Sequence, residues 1–199
     1  MLRLLPRVPD MPDATADRSV EAELVRRCRA GERAAWDELY RTHRRLVAGN
    51  LYRVLGERSE LDDLVQEVFV IAVRGLERFR GDAKLTTWLY RICVNVALGK
   101  LRTRARKPPP LQLAPDADRG DDGEGSPERA LLRREDQQRV YAALDTLAPK
   151  KRVVFVLHEI EGLEPAEIAQ IVQAPVVTVR TRLHYARKEF YKKITEGGR

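Results

Sequence analysis

The sequence is poor in aromatic residues and in cysteine, and each scarcity excludes a class of protein. Phe, Trp and Tyr make up only 6% of the 199 residues, so any packed core must be largely aliphatic. Cys28 and Cys93 are the only cysteines, too few for a zinc cluster or for the disulfide framework of a small secreted protein. We therefore expect no bound metal and a reducing compartment, the cytoplasm.

Signals for membrane insertion, export and catalysis are also missing. No apolar run approaches the roughly 20 residues that a membrane-spanning helix needs, and prolines break the short apolar stretch at the N-terminus. We find no phosphate-binding loop, paired catalytic carboxylates or nucleophile motif, and His43, His158 and His184 are scattered along the chain. The sequence thus predicts no membrane insertion, no cofactor, no catalytic residue and a protein that is not an enzyme.

Charge, by contrast, is abundant and unevenly distributed. Lys and Arg outnumber Asp and Glu by 37 to 30, and the sequence pI is about 9.6. Residues 100–107 and 176–193 are strongly basic, whereas residues 57–67 hold five acids and one Arg. Segregated charge of this kind indicates separate faces for a polyanion and for a basic partner.

Composition and periodicity divide the chain into two helical domains. Residues 1–20 are expected to form a flexible tail, and residues 107–127, which begin with prolines and continue with Gly and acids, a flexible linker. Apolar residues recur with helical spacing in residues 61–72 and in the second half. The predicted fold is all-α, with small domains at residues 21–106 and 128–199.

The C-terminal part reads as a helix-turn-helix. A short helix over residues 164–172 and a break at residues 173–175 precede a basic helix over residues 176–194. At about 100° per residue, one face of the second helix is apolar and the other is suited to a DNA groove, although many basic helices are merely solvated. Its candidate duplex-binding residues are Val177, Thr178, Arg180, Thr181, Arg182, His184, Tyr185 and Lys188.

A second basic helix follows a Gly-Asp turn in the N-terminal domain. Its predicted core face holds Leu85, Leu89, Ile92, Cys93 and Val96, which makes Cys93 a small hydrophobe and not a nucleophile. Another flank carries an aromatic, an amide and two arginines, a set suited to stacking on bases and holding phosphates. From chemistry alone, the aromatic is as well explained by packing as by nucleic-acid binding. The flank residues are Trp88, Arg91, Asn95 and Arg102.

These segments resemble regions 2 and 4 of extracytoplasmic-function sigma factors of bacterial RNA polymerase. Residues 63–69, 78–82 and 87–92 with Asn95 resemble region 2, and motifs between residues 147 and 183 resemble region 4. The resemblance implies docking on the clamp helices of the polymerase's largest subunit and on its flap, and promoter DNA as a partner, duplex at −35 and single-stranded at −10. An anti-sigma factor is a further expected partner.

The resemblance also distributes roles among residues of this chain. Polymerase docking is expected of Asp62, Asp63, Gln66, Glu67 and Phe69. Recognition and opening of the −10 element are expected of Arg80, Lys84, Trp88, Arg91, Asn95 and Arg102, and −35 recognition of the basic C-terminal helix described above.

Three residues depart from the family pattern. Val177 stands where a small residue is usual, Glu164 replaces a Ser or Thr helix cap, and Tyr185 replaces a common basic residue. The departures bear on the −35 sequence and not on the fold. An autonomous helix-turn-helix regulator remains the alternative interpretation; it would explain the C-terminal half but not residues 78–95.

Overall fold

The structure, a computed structural model, describes residues 17–106 and 127–196, and its regular elements there are all helical, which confirms the predicted all-α class. A 3-10 turn follows the third helix at Leu76–Arg78, and a π-helical turn extends the sixth through Val156–Ile160. The helices are α1 (Asp17–Arg29), α2 (Arg33–Leu55), α3 (Leu61–Gly75), α4 (Leu85–Arg106), α5 (Pro127–Asp145), α6 (Pro149–Phe155), α7 (Pro165–Val172) and α8 (Val176–Glu196).

Backbone contacts divide the chain into two compact units whose boundary lies between Lys100 and Leu101, near the end of α4. Helix α1 begins at Asp17, within the segment predicted as a tail, and it buries Leu24 and Val25. The rest of that tail and nearly all of the predicted linker lie outside the described residues. The domain limits derived from the sequence therefore stay predictions.

In the first unit, α2 packs against α1 and α3, and α4 is buried on most of its circumference. All five residues predicted for the α4 core face are buried, and so are Tyr90, Val94 and Ala97. Burial raises the pKa of Cys93 to about 12, so its thiol stays protonated and packs as a small hydrophobe. Because α4 is so enclosed, the orientation of its remaining exposed side chains is fixed by the core.

Hydrogen bonds from α1 fix the segment that leads from the 3-10 turn into α4. The Arg29 guanidinium on α1 donates hydrogen bonds to the carbonyl oxygens of Leu76, at 3.1 and 3.2 Å, and of Phe79. The backbone N–H of Leu85 donates to the Glu21 carboxylate at 3.3 Å. Charged groups bonded to backbone acceptors and donors make stronger hydrogen bonds than neutral pairs. The loop before α4 is therefore held at both of its ends.

In the second unit, α8 is the central element and packs against α5, α6 and α7. The predicted core face of α8 is buried at Val179, Leu183, Ala186 and Phe190, while Ile194, the last of the set, is half-buried. The Phe190 ring lies 4.5 Å from that of Phe155 on α6. This packing presents the opposite face of α8 to solvent.

The turn between α7 and α8 confirms the predicted break and gives Gln173 an unusual backbone conformation. Gln173 has φ of 50° and ψ of 52°, the left-handed region, and it caps the C-terminus of α7. The N–H of Ala174 bonds to the Ala169 carbonyl at 3.1 Å. Glycine adopts this conformation without the steric cost that a Cβ brings.

Replacing Gln173 with Gly is expected to raise the free energy of unfolding by about 0.5–1 kcal/mol, because relief of left-handed strain exceeds the extra entropy of glycine in the unfolded chain. Chemical denaturation of the full chain would measure the gain. Gln173→Ala is the matched control, since it keeps the strain and should give no gain. A Gly variant no more stable than the Ala variant would contradict this account.

Candidate nucleic-acid and protein interfaces

The first surface, the acidic face of α3, consists of Asp62, Asp63, Gln66 and Glu67. All four side chains are exposed, whereas Leu64, Val65 and Val68 of the same helix are buried. Within the described part of the chain, the three acids make no ion pair. Asp62 and Asp63 also lie in the first helical turn, where negative charge is favoured by the helix dipole. The face is thus a stable, unneutralised negative surface that is open to a basic partner.

Phe69 does not belong to this surface, contrary to prediction. Its side chain is 8% exposed, and its ring meets Tyr40 on α2 edge-on with 4.7 Å between centroids. An aromatic edge contact of this kind stabilises helix packing. Phe69 therefore supports the contact between α2 and α3 and is not exposed together with the acidic residues.

Two apolar residues extend the acidic face and were missed by sequence reasoning. Val70 and Val73 of α3 are 47% and 50% exposed, respectively. They continue the helical series that contains Asp62 and Gln66, so charged and apolar groups share one side of the helix. Their place in that helical series was the signal in the sequence that both valines lie on the acidic side of α3. Exposed apolar side chains beside charges are typical of a protein-binding surface.

The second surface is the flank of α4 together with the loop before it. Trp88 and Arg91 are half-buried and Asn95 is exposed on the same flank, while in the preceding loop Arg80 is exposed and Lys84 half-buried. The structure thus places these five predicted residues around the start of α4. Arg102 is exposed as well, but it lies beyond Lys100, in the part of α4 that belongs to the second compact unit.

The Trp88 indole is braced by its neighbours and remains partly accessible. Its ring lies 5.4 Å from that of Phe79 with planes inclined at 49°, and its Cζ2 atom would be 3.2 Å from a Cβ at Gly75. The absence of a side chain at Gly75 therefore makes room for the indole. Trp88 is thus both packed and partly accessible. An indole held by its neighbours can also serve as a rigid platform on which a base stacks.

The third surface, the outer face of α8, is centred on Val177, Thr181, His184 and Lys188. All four are exposed, and Val177 is the most exposed large hydrophobic side chain of those described, at 73%. Among the other candidates, Arg180 and Tyr185 are exposed, and Thr178 and Arg182 are half-buried. The helix therefore presents all eight predicted residues at least partly to solvent.

Two ion pairs at the edge of α8 neutralise some of its charged side chains, whereas other charged side chains there have no ion-pair partner among the described residues. Arg187 Nε lies 2.6 Å from Glu159 Oε1, and Lys151 Nζ on α6 lies 2.6 Å from Glu189 Oε1. Lys151 also lies 5.7 Å from the centroid of the Tyr185 ring, a contact with the outer face of α8 that sequence reasoning missed. A signal for it was the run of basic residues after Pro149. Within the described residues Arg180 is not ion-paired, so its charge is available for a phosphate or a base.

The described residues contain no group of three or more potential metal ligands. Nor does any described helix combine the length and apolar character needed to cross a bilayer.

Comparison with known proteins finds the same family in both halves. Residues 39–107 match the family model of Sigma-70 region 2, and residues 137–190 match that of Sigma-70, region 4. The chain is 38% identical over 181 residues to the RNA polymerase sigma-H factor of Pseudomonas aeruginosa, covering 87% of this chain and 93% of that protein. It is 36% identical over 185 residues to the ECF RNA polymerase sigma-E factor of Haemophilus influenzae, covering 90% and 97%.

Solved structures share the fold. The chain resembles CnrH, solved in complex with the cytosolic domain of CnrY, with a TM-score of 0.63, 24% identity and coverage of 92% of this chain and 99% of CnrH. It also resembles the sigma factor RpoE of Bartonella quintana, solved with the anti-sigma factor NepR, with a TM-score of 0.59, 19% identity and coverage of 82% and 98%.

Proposed function

The chain belongs to the extracytoplasmic-function family of RNA polymerase sigma factors, which direct promoter-specific transcription initiation, and from this premise we propose how its three surfaces divide that task. The match to region 2 accounts for the N-terminal half, which an autonomous helix-turn-helix regulator left unexplained. The observation that carries the proposal is that each surface has its own chemistry and lies on a helix whose opposite side is buried.

The extended α3 surface, meaning the acidic face with Val70 and Val73, docks on the clamp helices of the polymerase's largest subunit. The proposal is supported by exposed negative charge without a partner among the described residues and by adjoining apolar area. Charge complementarity speeds encounter and fixes register, while buried apolar area supplies affinity.

The flank of α4 opens the −10 element and holds an unpaired base of the displaced strand. Extruding a base costs a few kcal/mol, which stacking on an aromatic ring and hydrogen bonds to the base edge offset. Trp88 supplies the braced ring, Asn95 an amide that can read a base edge, and Arg80, Lys84 and Arg91 positive charge for the phosphates. Arg102, which lies beyond the boundary of the first compact unit, is a further residue for which we propose contact with the −10 element.

The outer face of α8 enters the major groove of the −35 element, where a recognition helix reads base edges with its N-terminal residues. Arg180 and Lys188 supply positive charge for guanine or phosphate, and His184, Tyr185, Thr178 and Arg182 border the groove-facing stripe. No catalytic step is assigned to the chain; RNA synthesis would be the polymerase's own chemistry. The site of action would be the cytoplasm, with the polymerase.

An anti-sigma factor is the further partner that we propose. The related RpoE was solved in complex with one. A protein that covers the extended α3 surface would silence the factor by excluding core polymerase, so displacement by excess core polymerase would identify such an inhibitor.

Transcription from a genomic promoter library by purified core polymerase, with and without the protein, tests the proposed function. We expect discrete new start sites that share −35 and −10 sequences. A variant with reversed charge on the acidic face is the control and should give none. Tight duplex binding by the protein alone, without new transcripts, would overturn the proposal in favour of an autonomous regulator.

A further inference from the structure

Val177 is placed where a base-reading residue would be, yet it has no polar group. It occupies the second position of α8, and its side chain is 73% exposed. Leaving an aliphatic side chain in water has no benefit for folding, and Val177 contributes nothing to the core that Val179 and Leu183 build from the other side of the helix. The Val177 side chain is therefore available to contact whatever α8 binds.

Thr181, one turn further on, adds a second methyl group to the same stripe. Its hydroxyl Oγ1 donates a hydrogen bond to the backbone carbonyl of Val177 at 2.9 Å. The hydroxyl proton is thus used within the helix, as is common for threonine in helices. The Thr181 methyl then remains as a group that can meet a base edge.

The surroundings suit a base edge and not a protein core. Arg180 and His184, both exposed, flank Val177 and Thr181 on the outer face of α8, and Lys188 follows one turn beyond His184. The outer face of α8 therefore has an apolar patch surrounded by basic and hydrogen-bonding side chains. The major groove has the complementary pattern, because the 5-methyl group of thymine is its apolar feature among hydrogen-bond donors and acceptors.

We propose that Val177 and Thr181 read the 5-methyl group of a thymine in the −35 element. This inference rests on the proposed binding of the −35 duplex by α8 and assigns it a base preference. Discrimination of T·A from C·G at that position comes from contact between methyl groups and not from a hydrogen bond. A glycine at position 177 would lack this contact, so the preference is a property of this chain.

Replacing thymine with uracil tests the proposal, because the substitution removes the methyl group and leaves base pairing unchanged. Each thymine of the −35 element, on either strand, is replaced singly in a promoter that the full-length protein and core polymerase use. Equilibrium competition then measures holoenzyme affinity. We expect one position at which uracil weakens binding about threefold to fivefold, the effect of losing one buried methyl contact.

Protein variants assign that effect to the two residues. Val177→Ala should reduce the preference for thymine over uracil to less than about twofold, since only the Thr181 methyl is left to contact the base. Val20→Ala is the matched control, because Val20 on α1 is also highly exposed, at 63%, and should keep the full sensitivity. Thr181→Val keeps a methyl and removes the hydroxyl, so both affinity and uracil sensitivity should persist.

The outcomes separate this inference from the function on which it rests. Uracil sensitivity that is absent in the unaltered protein, or unchanged in Val177→Ala, overturns methyl reading while promoter binding stands. A holoenzyme with no preference for any promoter overturns the proposed −35 role itself, and the methyl contact falls with it.

Discussion

Reversing the charge at Asp63 and Glu67 is expected to lower the affinity of the protein for core polymerase by about 100-fold or more. Both carboxylates are exposed on the acidic face of α3. Each Lys substitution removes an attraction and adds a repulsion against a basic docking surface, and juxtaposed like charges at an interface cost several kcal/mol. Co-purification and a titration with labelled core polymerase measure the loss.

Folding should be retained, because neither side chain contributes to the core. Asp63 lies in the first turn of α3, where replacing an acid by a base costs about 0.5–1 kcal/mol through the helix dipole. A double variant with Asp37→Lys and Glu135→Lys has the same change in net charge on exposed sites elsewhere. It should bind polymerase normally. Equal binding by the two double variants would refute docking through α3.

Replacing Trp88 with Ala is the second substitution for which a large effect is expected. We expect open-complex formation to fall about tenfold or more while binding of the closed complex changes by less than about threefold, since stacking of one base on an aromatic ring is worth about 1–3 kcal/mol. The stacking partner exists only after the strands separate. Permanganate footprinting of the −10 element and a gel-shift assay on duplex promoter measure the two steps.

The packing of Trp88 complicates that substitution, and a matched variant resolves the complication. Trp36 on α2 is also half-buried, so Trp36→Ala removes a comparable side chain from the same compact unit. Trp36→Ala should lower the free energy of unfolding but should not reduce open-complex formation more than it reduces promoter binding. Losses of the same size in binding and opening for Trp88→Ala would mean that the indole is only structural.

Gly75 offers a way to disturb Trp88 without removing it. A Cβ at Gly75 would lie 3.2 Å from Trp88 Cζ2, so Gly75→Ala displaces the indole by a few tenths of an ångström. The backbone φ of Gly75 is −94°, which alanine adopts freely. A partial loss of open-complex formation in Gly75→Ala would be caused by the changed position of the indole, because the ring itself is still present.

The sequence predicted the cores of the helices better than their surfaces. The spacing of Leu85, Leu89, Ile92, Cys93 and Val96 follows the helical period, and each is buried, although the burial of α4 extends beyond the face that this period predicts. The same period put Phe69 on the core stripe of α3. Its assignment to the docking surface came from resemblance, and its ring is buried against Tyr40.

Surface features that depend on how neighbouring helices pack cannot be predicted from the sequence of a single helix. Val70 and Val73 continue a polar helical series, but apolar residues are expected inside, so the packing of α2 on one side of α3 is needed to establish their exposure. Likewise, the room that Gly75 leaves for Trp88 joins positions thirteen residues apart. Such contacts depend on tertiary geometry, which the periodicity of one helix does not encode.

The division of α8 into a buried and an exposed side has a consequence for how promoter preference can evolve. Val179, Leu183, Ala186 and Phe190 hold the helix in place, while Val177 and Thr181 are exposed on the opposite side. Substitutions on the exposed side change stability little, typically within about 0.5 kcal/mol. Because we propose that this side reads the −35 element, a lineage could exchange one set of target genes for another through single substitutions on it, and an engineer could build mutually independent regulators from the same scaffold.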